Sequence, residues 1–586
     1  SLTISTISEY PTDMAKFAKE REFADDTYSA NIVSADNAGG LIGALYSNGN
    51  VYGHISDTPA ITNDGTDLNK TLEDLKNLQV YSANITRFTN KTLENQLVTV
   101  RGSVNSSGII ASFEGMKNST LILTNIKNNA KVVGTNNATN LSGASGIIGL
   151  IKAKSVYLDN CTNNAEINGN DFNYKYGNST SAGGLIGVVN ASTSSDLQYV
   201  EINGCKIDEY ALVTTGKTAT DKASAGGFIG HISDADTTSN ISLRIVACST
   251  VMRKDNSYGV VLTNNEQSIT GAGGYIGSAE INRLIIGSET SIQNSSMTNV
   301  KGTTNVGGII GYCGSKVTKI INTNVTFVQV DGSSSISGIG GFVGYVGGYA
   351  NSSAVNTIYI YNTSNNASVI NITTKYVGGA VIGVVNGTST QVYIGEREEV
   401  GTISRLNFTA NLNSVGSDLT IGGGVIGDLR NHLAVVIQNI RSSCTITTKI
   451  AGGIIGQFAD SEKSDTSLIS IGGNKNTGTS VTITGSIGTN TSRYAGGVIG
   501  LFARTNYGNI IFNSIILDDV ILTATEKIGG VIGYANNPKD NKLLNASTSS
   551  IELINVSYRG INNVYHNEYY VWNSEIDNNT KTYTLL

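Results

Sequence analysis

Charge is what this chain has least of. Asp, Glu, Lys and Arg make up 14% of its 586 residues, against the ~25% usual in globular proteins. With a net charge of −6 and no Lys/Arg stripe, it offers no basic surface for nucleic acid or an anionic membrane. Proline is almost missing, at 3 residues, so the 68 glycines are not those of a collagen helix, which needs Gly at every third position and abundant Pro. Five cysteines in a chain of this length cannot form a disulfide scaffold. No window reaches the ~18 uninterrupted apolar residues of a membrane span. No signal peptide is visible either, and a start at Ser1 rather than Met is consistent with a leader already removed. Disorder is excluded by the 39% of hydrophobic residues, since disordered chains carry more charge and fewer Ile, Val and Leu.

What the chain does have is repetition. A five-residue core, Gly-Gly-apolar-Ile-Gly, begins at Gly39, Gly183, Gly226, Gly273, Gly307, Gly340, Gly379, Gly423, Gly452, Gly496 and Gly529, with weaker copies at Ser107 and Ser145. From Ser107 onward the spacing varies from 29 to 47 residues around a mean near 38, and only the first gap, of 68 residues, is anomalous. That gap holds either a degenerate copy or an insertion. A fixed core with a variable period is the mark of solenoid coils with insertions in their loops.

The units are dense in Gly, Asn, Thr, Ser, Val and Ile, which are poor helix formers, and they lack a 3.6-residue period. After each core come short β-like runs separated by Asn/Gly/Ser turns, as in GGFIGHI, ISLRIVAC and YGVVLTN from Gly226 onward. Three short strands per turn, stacked coil on coil, predict an all-β fold: a right-handed parallel β-helix of about 13 coils, spanning roughly 60 Å at ~4.8 Å per coil. The fourth core residue, from Ile42 through Ile229 to Ile532, is expected to form one inward ladder. The paired glycines are expected at a sharp backbone bend.

The open ends of a β-helix need protection against uncontrolled strand pairing. Residues 1–38 read as an N-terminal cap of helix plus strand, in which 10–26 form an amphipathic helix opened by Pro11. A second helical stretch is expected near 68–78. Residues 39–540 carry the repeats, and 541–586, with Tyr558, Tyr565, Tyr569, Tyr570 and Trp572, read as a C-terminal cap.

These residues resemble the GLUG-motif repeat proteins, whose unit has a GG-aliphatic-aliphatic-G core followed by an Asn-Cys pair and an Asn-rich strand. SGIIGLIKAKSVYLDNCTNNAEING, from Ser145 to Gly169, is close to that pattern, and the opening ISTISEYPTDMAKFAKE is similar to the leader that often precedes such repeats. The resemblance implies a secreted or surface-attached, adhesin-like β-helix with no catalytic residues. The units here are longer, and several lack the Asn-Cys pair.

Cys161, Cys205 and Cys248 lie 16, 22 and 22 residues after their cores, in consecutive coils. They read as a buried row of small residues, with a disulfide between neighbouring coils as the alternative. No His or second Cys stands at ligand spacing, so no metal site is expected. Gly422, Gly424 and Gly427 spell GxGxxG, but without the helix or GK[ST] sequence that a phosphate site needs; no cofactor is expected.

A β-helix enzyme would cluster carboxylates on one face. The acidic spots are Asp25 and Asp26, Asp234 and Asp236, Glu396 to Glu399, Asp460 to Asp465, and Asp518 with Asp519. They fall on different coils and read as solvated loops. The four histidines, His54, His231, His432 and His566, show no Ser/His/Asp logic, and no catalytic residue is assigned.

There are 23 N-x-S/T sites, among them Asn84, Asn118, Asn137, Asn160, Asn178, Asn240, Asn294, Asn324, Asn366, Asn407, Asn490 and Asn555. They are glycan acceptors in a eukaryotic or archaeal host, or products of Asn-rich turn chemistry. The expectation is an extracellular, surface-attached structural or adhesive solenoid. Its partners would be its own copies in an oligomer or polymer, glycans, or host-surface molecules. The alternative is a polysaccharide lyase or hydrolase built on the same fold.

Overall fold

The computed structural model describes residues 32–47 and 99–559 apart from short stretches, of which 171–179 and 536–549 are the longest. It is a parallel β-helix. In one coil the chain runs through Gly143–Ser145, bends at Gly146 and Ile147, and continues as Ile148–Lys152, Ser155–Asp159, Thr162–Asn163 and Glu166–Asn168. We call the sides carrying these strands sheet 1, sheet 2, sheet 3 and, for the last two strands together, sheet 4. Each strand pairs in parallel with its counterpart one coil on: Ile148 with Ile186, Ile186 with Ile229, Ile229 with Ile276.

Among the described residues, sheets 1 and 2 have 13 strands each, matching the thirteen cores, and sheet 3 has 12. Sheet 4 has 19, because the early coils build that side from two short strands, which merge in the single strand Thr323–Gly332. The expected three strands per turn are therefore corrected to four sides. Each core is itself strand, two-residue bend, strand, and so contributes to two sheets.

The inward ladder is as expected. Ile148, Ile186, Ile229, Ile276, Ile382, Ile455 and Ile532 are all 0% exposed, and Ile42, at the first coil, is only partly buried. Removing each such side chain from water contributes ~1.5–3 kcal/mol. The third residue of each core from Ser107 onward, such as Phe228 or Tyr275, lies in the same hydrophobic core.

The glycines answer to backbone proximity. The last glycine of each core lies where sheets 1 and 2 fold against each other. A Cβ on Gly230 would stand 2.6 Å from the Gly187 carbonyl oxygen and 2.8 Å from the backbone of Ala182. A Cβ on Gly230 would prise the two sheets apart there, whereas the coil at Ser107 accommodates Ala111 in the equivalent place.

The corner between sheets 3 and 4 uses a different device. Asn160, Ala247, Asn322, Asn439 and Ser514 take positive φ, between 46° and 56°, each just after a sheet 3 strand. Gly204 joins them at φ 62°. The left-handed region is tolerated best by Gly and Asn, which explains the Asn of the Asn-Cys pair. Ala247 holds that conformation at a cost. We expect Ala247→Gly to raise stability by ~0.5–1 kcal/mol, since relief of strain outweighs the added unfolded-state entropy; thermal or denaturant melting reads it directly.

In the 68-residue gap, Ile42 pairs directly with Ile110, so no further coil separates these two and the gap is an insertion. Strands Ile32–Ser34 and Asn37–Gly39 already pair within the coils, and Ser550–Ile554 and Ser557–Arg559 still do. Among the described residues the stacked pairing thus runs from Ile32 to Arg559. The helices expected over 10–26 and 68–78, and the aromatic cluster from Tyr565 to Trp572, lie outside the described residues. Among the described residues no helix is long and apolar enough to cross a membrane.

Candidate functional site

Sheet-strand alternation sorts each coil into an inward and an outward set, and the sequence-derived candidates divide accordingly. Cys161, Cys205 and Cys248 are inward and buried, and all five cysteines are free thiols. The backbone N–H of Cys161 donates to Cys205 Sγ at 3.2 Å, and that of Cys205 to Cys248 Sγ at 3.4 Å. Burial pushes the Cys161 and Cys205 thiols well above their ordinary range and Cys444 up to about 11. The row is a filler of small side chains, not a chain of disulfides.

Asn294 continues it. Cys248 N–H donates to Asn294 Oδ1 at 2.9 Å, and Asn294 Nδ2 donates to the Ile245 carbonyl at 3.0 Å. At 0% exposure, this sequon asparagine is a core residue with no room for a glycan. Asn160, Asn240 and Asn490 stand exposed, while Asn324 and Asn407 are half-buried. Asn84, Asn118, Asn137, Asn178, Asn366 and Asn555 lie outside the described residues.

The acidic candidates are scattered over separate coils. Asp234 is buried; its Oδ2 accepts from the Ile241 and Asn282 backbones at 2.8 and 3.1 Å, and its Oδ1 from the Tyr349 hydroxyl at 2.8 Å. Burial raises its carboxyl despite these donors. Glu396 is half-buried and raised for the same reason. Asp518 and Asp519 lie in the strand Ile515–Leu522, far along the stack. Asp25, Asp26, Asp236, Glu398, Glu399, Asp460 and Asp465 are outside the described residues, as are His54 and His566. His231 is buried, with Nδ1 2.6 Å from Ser278 Oγ. Gly424 stands in the bend between Ile421–Gly423 and Ile426–Leu429, with Gly422 and Gly427 in the flanking strands, a solenoid corner rather than a phosphate cradle.

Sequence reasoning missed several buried ionisable groups, Glu201 and Asp428 among them. Glu201, 1% exposed, accepts from the Tyr199 hydroxyl at 2.5 Å and faces Arg244 Nη1 at 3.4 Å. Burial, then the Glu201 carboxylate, drives the Tyr199 phenol upward. Asp428 lies on sheet 2, stacked between Val384 and Gln457. Val384 packs with Val377, Ile421 and Ile450 in a second apolar cluster. Arg430 Nε donates to Asp428 Oδ2 at 2.8 Å, and Oδ1 has no hydrogen-bond partner. Glu201, between the inward Val200 and Ile202, reads as outward by alternation, and Asp428 stands beside the inward Leu429 in a strand whose alternation is broken, so nothing in the sequence flagged either as buried.

Burial raises the Asp428 carboxyl above its ordinary 3.8, and Arg430 offsets only part of that. The folded state therefore binds this proton more tightly than the unfolded state, and the group's contribution to stability falls as pH rises through its folded value. Asp428→Asn should accordingly melt higher than the parent at pH 7, with the difference shrinking as pH drops toward 4. Melting curves across pH 4–7 check the sign.

One surface stands out as regular. In Ala367–Thr374, Leu406–Ser414, Ile440–Ile446 and Val481–Ile487, alternate residues of sheet 4 turn into the core. Between them, outward, come Ala367 and Val369 and twelve polar residues: Asn371 and Thr373; Asn407, Thr409, Asn411 and Asn413; Arg441, Ser443 and Thr445; and Thr482, which is itself buried, with Thr484 and Ser486. Register aligns them in columns, Asn371–Asn411–Thr445–Ser486 and Thr409–Ser443–Thr484. Asn411 Nδ2 donates to Asn371 Oδ1 at 2.8 Å. Arg441 is the one charged residue among the twelve.

Comparison of the chain with protein-family models, curated proteins and solved structures finds no match. The likeness to GLUG-motif repeats therefore rests on the core residues themselves.

Proposed function

We propose that this is an extracellular structural and adhesive solenoid of the GLUG-like kind, held at a cell surface and meeting its partners through its flat faces. The observation that carries the reading is the outward side of sheet 4. Over the four strands from Ala367 to Ile487 it is in register and largely polar, with Arg441 its one charged residue, and its backbone is fixed by the ladder pairing on both sides. A rigid face loses little conformational entropy on contact, which suits a contact surface. Glycans on the exposed Asn160, Asn240 and Asn490 would sit outside the core and leave the coils intact.

Electron microscopy of native material, with a depolymerisation assay on polysaccharide, tests the reading. Filaments, ordered layers or surface-bound rods without depolymerisation are expected. Dispersed monomers that cleave polysaccharide would replace this reading with a carbohydrate-active enzyme.

A further inference from the structure

The same sheet 4 face suggests what it touches, an inference that rests on the adhesive reading and deepens it. We propose that the columns Asn371–Asn411–Thr445–Ser486 and Thr409–Ser443–Thr484 bind an extended, uncharged, β-1,4-linked polysaccharide lying along the solenoid axis.

Three observations lead there. The first is charge: Arg441 is the one ionised side chain on the face, so a polyanion finds no set of partners and a polycation finds none of opposite sign. A neutral polymer is the electrostatic complement of a neutral face. The second is chemistry. The face offers hydroxyls and carboxamides, which both donate and accept hydrogen bonds and so match the hydroxyls of a sugar in either role. It lacks the aromatic and Met anchors that mark protein–protein hot spots. The third is repeat. Coils rise ~4.8 Å, close to the length of one pyranose unit in an extended chain. The three coils carrying Thr409 with Asn411, Ser443 with Thr445, and Thr484 with Ser486 can therefore each present a polar pair to one successive sugar, and Asn371 extends its column by one more contact beside Val369.

Between the two columns, alternate residues along a strand stand ~6.6 Å apart, leaving a shallow lane in which a flat ring can lie. The hydrogen bond that Asn411 Nδ2 donates to Asn371 Oδ1 holds one wall of that lane in place. A second copy of this chain is the competing occupant, and the test separates the two.

The test is affinity electrophoresis of the full chain through native gels cast with a soluble β-1,4-glucomannan, with alginate, or with neither. Retardation is expected in glucomannan and not in alginate. The double variant Ser443→Glu/Thr445→Glu, both exposed positions, should bind glucomannan at least tenfold more weakly with its melting temperature unchanged. Asn240→Glu, exposed and on another side of the coil, should bind as the parent does. No retardation by glucomannan, equal retardation by alginate, or retardation indifferent to the double variant would each overturn the proposal. So would self-association in sedimentation that the double variant abolishes, which would assign the face to a second copy. If filaments or layers form while glucomannan is ignored, the adhesive reading stands and this one falls.

Discussion

Ile229→Asp is expected to unfold the middle of the solenoid. Ile229 is 0% exposed and pairs in register with Ile186 on one side and Ile276 on the other. A carboxylate there has only apolar ladder neighbours. The cost combines the lost apolar burial, ~1.5–3 kcal/mol, with the penalty for an unpaired buried charge, and together they reach ~5 kcal/mol or more. Because each coil contacts only its neighbours, the loss should appear as a segment that melts early rather than as one global shift. Hydrogen exchange should locate it in the coils around Gly226. The milder Ile229→Val should cost ~0.5–1.5 kcal/mol and stay folded. A melting curve for Ile229→Asp identical to the parent's would show that this row is not the core.

Gly230→Val should be nearly as damaging, for the opposite reason. Ile229→Asp leaves a hole and a charge; Gly230→Val adds atoms where none fit. Its Cβ would meet the Gly187 carbonyl at 2.6 Å and the Ala182 backbone at 2.8 Å, and these are main-chain atoms held by two sheets. Sheet 1 must separate from sheet 2, at a cost of ~3 kcal/mol or more. Gly230→Ala should cost less, because Ala111 takes the equivalent place in the coil at Ser107. Denaturant melting of the two variants, compared with the parent, gives both values. A valine variant as stable as the parent would mean that sheets 1 and 2 do not meet as described.

The fold was legible because stacking repeats the same requirement in every coil. Thirteen positions equivalent to Ile229 and a near-invariant glycine after each leave a periodic trace that survives spacings from 29 to 47 residues. Strand count per turn was harder to read, since the core looks like one unit and only geometry shows that its bend divides it between two sheets. The Asn of Asn-Cys was visible as a repeated residue, but its left-handed backbone was not. Its substitutes Ala247 and Ser514 adopt the same φ without any sequence sign. Asp428 escaped notice because its strand breaks the alternation, and Glu201 because period-two reasoning equates outward with exposed. That equation fails where one sheet folds against another, as beside Val377 and Ile421. The contact face was present in the composition as abundant Asn, Ser and Thr, but only register gathers those residues into columns.

The direct pairing of Ile42 with Ile110 across 68 residues of chain bears on how such a molecule can change. Loop length and rod length are independent quantities here. Reach is counted in cores, one rise for each, whatever sequence is spliced between them. Deleting a whole unit, core to core, should shorten the rod by one step of ~4.8 Å and leave the remaining registers intact. Lengthening a corner should leave its length untouched. The protein behaves as a ruler whose graduations are the Gly-Gly-apolar-Ile-Gly cores, free to acquire or lose decoration without losing its scale.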